Sequence, residues 1–69
     1  MIDTVGDALP REMARVRDVI LPEFDAIGAP GALAAMMMRQ SLDRAAKAMA
    51  EGDTVEMIRC LEDLRSYSL

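Results

Sequence analysis

An all-α fold is predicted for this chain: a three-helix domain in which a kinked first helix is followed by an antiparallel αα-hairpin. Three observations predict it. Ala, Met, Leu, Arg and Glu are abundant, whereas the strand-favouring aromatics are limited to Phe24 and Tyr67. Apolar residues recur at three- and four-residue spacing from Leu9 onward. Two glycine-containing joints, at 28–31 and 52–53, divide that pattern into three segments.

Residues 1–8 show no sustained period and contain Gly6, so they read as a loose N-terminal arm, with Ile2 and Val5 available to dock it. The first helix spans about 9–27 on the stripe Leu9, Met13, Val16, Ile20, Phe24 and Ile27. Asp7 is its candidate N-cap, and Pro10 falls in its first turn, where a missing N–H costs little. Pro22 interrupts the same stripe by removing the bond to the Asp18 carbonyl, at a cost of ~3 kcal/mol. Because the stripe keeps its phase, the expectation is one helix kinked near Asp18 to Leu21, against the alternative of two helices separated by a turn. Gly28 ends it.

The second helix spans about 30–51, with Pro30 at its first position. In its later half Met38, Leu42, Ala45, Ala46 and Met49 share the inward face. Opposite them Arg39, Asp43, Lys47 and Glu51 alternate in sign at four-residue spacing and form a solvated face. Gly52 and Asp53 pair a C-terminal glycine with an N-cap, and Glu56 completes an Asp-x-x-Glu capping box. The third helix spans about 54–67, with Val55, Met57, Ile58, Leu61 and Leu64 inward and Glu56, Arg59, Glu62 and Asp63 outward.

Sixty-nine residues form one domain, 1–69, and a chain of this size buries only about 60% of the surface it exposes when unfolded. Such a core leans on disulfides, metals, self-association or unusually regular helix packing. Cys60 is the only cysteine and there is no histidine, so neither a disulfide nor a zinc site is expected, and no cofactor is implied. Twelve acids against eight bases give a net charge of -4, which disfavours direct nucleic-acid and anionic-lipid partners and favours a basic partner surface. Asp3 and Asp7 fall where a secretory signal needs a basic and then an apolar region, and the uncharged run 26–38 is broken by Gly28, Pro30 and Gly31. A cytoplasmic protein without a membrane span is therefore expected.

The stretch from Ala29 to Met38 carries no charge, and Met36, Met37 and Met38 fan across roughly 200° of a helix, more than one flat core can bury. A third helix of about fourteen residues rises roughly 21 Å and reaches back only to Met37 or Met38. Leu33 lies beyond its end. The first helix is expected to bring Phe24 and Ile27 near Ala32 and Met36, leaving Leu33 and Met37 without cover. Either Tyr67, Leu69 or the N-terminal arm folds over that flank, or it meets its counterpart in an isologous dimer. Leu33, Met36 and Met37 are accordingly the candidate protein interface.

Catalysis has little to work with. Without histidine, acid–base chemistry falls to carboxylates, Lys47, Cys60 or Tyr67, and the adjacent acids Glu62 and Asp63 point about 100° apart. Cys60 has no base among its sequence neighbours and reads as a buried helix residue. A helix-turn-helix reading fails on charge, since the third helix with its cap carries four acids and two bases, and Glu12 and Asp18 interrupt the patch of Arg11, Arg15 and Arg17.

The segments LPREMARVRDV (Leu9 to Val19) and AMAEGDTVEMIR (Ala48 to Arg59) resemble those of small helical proteins encoded in bacterial phage and prophage genomes. The resemblance implies a bacterial intracellular setting and a role in binding a host or phage component, and it transfers no active-site residue. The expected function is a non-catalytic, self-associating protein-interaction module. The alternative is an anti-CRISPR-like phage inhibitor whose acidic face, with Glu56, Glu62 and Asp63, blocks a nucleic-acid site on a host protein.

Overall fold

The computed structural model describes residues 4–69, so the expected docking of Ile2 lies outside the described residues. The chain is an all-α three-helix domain. Its first helix comprises α1 (Val5–Arg15), a π-helical segment (Val16–Ile20) and α2 (Leu21–Ala26), and a 3-10 turn (Ala29–Gly31) leads into α3 (Ala32–Glu51), followed by α4 (Thr54–Arg65). Among the described residues no helix is long and apolar enough to cross a membrane.

The first helix begins at Val5, four residues before the periodic pattern, because a local polar exchange nucleates it. Thr4 is the N-cap: its hydroxyl accepts from the Asp7 backbone N–H at 3.2 Å, and its own backbone N–H donates to Asp7 Oδ2 at 3.5 Å, closing a reciprocal capping box to which the hydroxyl adds a bond to Oδ2 at 2.9 Å. Asp7 is thus the third helical residue rather than the cap. Pro10 lies inside the helix, where the carbonyl it leaves unpaired belongs to exposed Gly6. In place of a loose arm there is a helical turn whose Ala8 and Leu9 are buried.

Pro22 neither breaks the helix nor sits in a regular α-helix. The Leu21 N–H bonds to the Val16 carbonyl five residues back, and this wider π turn accommodates the residue before a proline that cannot donate to Asp18. The extra residue has a consequence for packing. It turns everything after it back by about one position, so Ile20 and Leu21 are both buried, Phe24 is half-buried, and Ile27 leaves the core stripe and is exposed.

Positive φ at Gly28 (72°) and Gly52 (67°) ends the first helix and α3 in left-handed geometry that a Cβ would strain. At Gly52 the Asp53 N–H reaches back to the Ala48 carbonyl at 3.0 Å, and Asp53 Oδ1 accepts from the Glu56 N–H at 3.1 Å, so one short joint caps two helices. The expected reciprocal box is only half made. The Glu56 carboxylate turns instead to the Cys60 thiol at 3.8 Å and to Arg59.

The core sits where the three helices meet, with Leu9, Val16, Ile20, Met38 and Leu64 fully enclosed. Two inward faces are rotated from expectation. On α3 the buried row is Ala35, Met38, Ser41, Ala45 and Ala48, while Ala46 and Met49 face out and Leu42 is partly covered. On α4 it is Met57, Cys60, Leu61 and Leu64, while Val55 and Ile58 are exposed. The buried row of α3 is mostly small residues, whereas that of α4 keeps Met57, Leu61 and Leu64 beside Cys60. The outward face of α3 does not run as a chain of internal pairs, since Arg39 reaches across to Asp25 on α2 at 2.6 Å.

Gly31 shows how tight the α2–α3 junction is. A Cβ there meets the Phe24 carbonyl oxygen and comes to 2.7 Å from Ile27 Cγ1. Gly31→Ala is expected to lower stability by about 1–3 kcal/mol, as overpacking does, read as a reduced midpoint in urea unfolding monitored by circular dichroism.

Candidate functional site

Ala35, Met38 and Ser41 fix the inward direction of α3. On its other side Leu33 is 65% exposed, Met36 49% and Met37 48%. The expected cover of Met36 by the first helix is absent: Met36 is as open as Met37, because the π turn has carried Ile27 outward and the nearby cross-helix contact is the Arg39–Asp25 ion pair. Nor do the other described segments close this face. Tyr67 turns inward to Ser41, Leu69 is itself exposed, and the N-terminal turn packs at Leu9 on the first helix.

Where α4 ends, a cluster of polar groups joins three segments. Arg15 Nη2 donates to the carbonyl oxygens of Leu64 and Tyr67, both at 3.0 Å, sharing the Leu64 oxygen with the Tyr67 backbone N–H. Ser41 Oγ donates to Asp63 Oδ2 at 2.6 Å, and Tyr67 Oη lies 2.9 Å from the same hydroxyl. A serine has one proton, so Tyr67 must be the donor to Ser41. Arg44 adds a longer contact to Asp63 at 3.5 Å, and among the described residues no buried side-chain polar atom lacks a partner. Periodicity overlooked this cluster. Its signal was the one polar residue, Ser41, on the row that contains Met38 and Ala45.

Beyond that cluster, Glu23, Phe24, Ile27 and Leu69 line an open, mostly apolar cleft of about 230 Å³. Val19 is one turn before Glu23 on the first helix and is also exposed.

The acidic alternative divides. Glu62 is exposed, but Asp63 is engaged by Ser41 and Arg44, and Glu56 is half-buried beside Cys60 and Arg59. The three acids do not form a uniform free face. Glu12 is also engaged, contacting Arg15 and, at 4.0 Å, Arg65.

Cys60 is buried, and burial together with the neighbouring Glu56 pushes its thiol pKa up, which suppresses the thiolate. Lys47 is exposed on α3, and the Tyr67 hydroxyl is held by Ser41. Among the described residues no group of three or more acidic, cysteine or histidine side chains is placed to hold a metal ion. No protein-family model, curated protein or solved structure matches this chain.

A free thiol titrates near pH 8.5. With its pKa raised in the fold by burial and by Glu56, Cys60 carries less thiolate in the native chain than in the unfolded one. Iodoacetamide labelling at pH 8.5, followed by mass spectrometry, is expected to be at least about tenfold slower in the native chain than in urea. Equal rates would show that the thiol is reactive in the folded chain.

Proposed function

We propose that this protein is a non-catalytic protein–protein interaction module that self-associates through the early part of α3. The observation that carries this reading is the exposure of Leu33, Met36 and Met37 on a helix whose opposite side is already packed. These side chains have no internal role left to fill. Burying such apolar surface yields about 25 cal/mol per Å², and methionine adapts its shape to whatever it meets.

A second copy is the favoured partner for two reasons. The chain has no disulfide partner for Cys60, and self-association is a common remaining staple for a domain this small. In addition residues 29–38, which lead into α3 and form its first turns, carry no charge, while the chain as a whole has a charge of -4. Two copies meeting at α3 therefore avoid the acidic repulsion that other faces impose.

Met37→Glu is expected to convert a dimer into a monomer in light scattering, weakening association by at least about tenfold, with the helical circular-dichroism signal retained. Wild-type association should change little between low and high salt. A monomeric wild type, or an unchanged mass on substitution, overturns the reading. Binding to a basic protein that collapses as salt rises favours the acidic inhibitor reading instead.

A further inference from the structure

We infer that Ser68 and Leu69 form a strap, hinged at Tyr67, that closes over the cleft along α2 by laying Leu69 against Phe24 and Ile27. This closure is independent of self-association, since it involves no α3 residue but Ser41. The strap starts from a fixed point. The Ser66 N–H bonds to the Asp63 carbonyl and the Tyr67 N–H to the Leu64 carbonyl, which carries the hydrogen bonding of α4 on to Tyr67. Tyr67 is then held from two sides: its carbonyl oxygen accepts from Arg15 on the first helix at 3.0 Å, and its hydroxyl reaches Ser41 on α3 at 2.9 Å. Because the peptide unit is planar, holding that carbonyl also sets the plane from which Ser68 departs. Beyond it the restraints stop. Among the described residues Ser68 and Leu69 make no hydrogen bond or ion pair, and both are exposed.

Position and chemistry select Leu69 as the occupant. The cleft is mostly apolar, has a volume of about 230 Å³, and Leu69 already lines it beside Glu23, Phe24 and Ile27. A cavity of roughly 150 Å³ admits benzene, so a leucine side chain has room. Val19 and Ile27 are exposed nearby but fixed on the first helix, whereas Leu69 stands two residues past its anchor and is 75% exposed. A side chain tethered this closely meets the cleft at an effective concentration on the order of millimolar, which a free apolar molecule seldom reaches. Glu23, the one charged residue of the lining, disfavours an acidic occupant and leaves an aliphatic one unaffected. Burying Leu69 gains about what ordering two more residues costs, so the open and closed positions are close in free energy. The cleft is therefore covered without being sealed, and an apolar ligand has to displace Leu69 to reach Phe24 and Ile27.

Nuclear magnetic resonance of the full chain tests this, and the single phenylalanine makes the Phe24 ring protons unambiguous. The Leu69 methyl protons are expected to show nuclear Overhauser contacts to both the Phe24 ring and Ile27, at chemical shifts displaced from those in urea. Leu69 methyls at their urea shifts, without those contacts, overturn the strap. Tyr67→Phe removes the hydroxyl that reaches Ser41 and is expected to weaken both contacts at least about twofold while the helical circular-dichroism signal is retained. Undiminished contacts in that variant overturn Tyr67 as the hinge. Leu69→Asp changes an exposed site, leaves the core untouched and sets a second acid beside Glu23, so it holds the strap open. It is expected to move the Phe24 ring and Ile27 methyl resonances and to leave those of Val16, Ile20 and Leu64 in place. If only the resonances of residues 67–69 move, the closure is refuted.

Discussion

The point at which α4 stops governs much of this molecule. Three segments are tied together there, with Arg15 from the first helix on the last carbonyls and Ser41 from α3 between Asp63 and Tyr67. Hydrogen bonds with one charged partner contribute roughly 1.5–3 kcal/mol each when sheltered, and less for an Arg15 side chain partly open to water. Their geometric effect is larger than their energy. They hold the C-terminal end of α4 between the other two helices and terminate the three-helix core at that level.

Everything on the far side of that level is a two-helix structure. A pair of packed helices leaves an open side along each flank, and the apolar residues on those flanks stay in water unless another surface arrives. Val19, Ile27, Leu33, Met36 and Met37 are these residues. The opposite end of the bundle is closed differently, by the double cap at Gly52 and Asp53 and by the Thr4 capping box, which satisfy helix ends locally. The exposed apolar surface at the α2–α3 end therefore follows from unequal helix lengths, not from an excess of hydrophobic residues in the chain.

Helix number and both inter-helix joints were legible in the sequence because they rest on local chemistry: glycines at positive φ, an aspartate N-cap, and apolar spacing. Phase was less legible. On α3 alanine and methionine occupy nearly every direction, so hydropathy did not distinguish Met49 from Ala48, and it is Ala48 that the fold buries. On α4 Cys60 faces inward and Ile58 outward. The π turn was hidden because Pro22 announces a disturbance without saying how the backbone absorbs it, and its shift of phase is what removed Ile27 from the core. The start of the first helix was hidden because Thr4 and Asp7 are both good N-cap residues, and the apolar period begins only at Leu9, whereas Thr4 holds the cap.

The exposed interface candidates were legible for a reason independent of phase. A length argument placed Leu33 beyond the reach of the last helix, and lengths survive an error of one position in helix rotation. What the length argument did not supply was the cleft along α2. With the π turn in place, Ile27 lines the cleft with Glu23, Phe24 and Leu69, whereas in a regular helix Ile27 packs inward. Pro22 thus acts well away from its own ring. By forcing one wider turn it moves Ile27 from the core stripe to the lining of the cleft between α2 and the chain beyond α4.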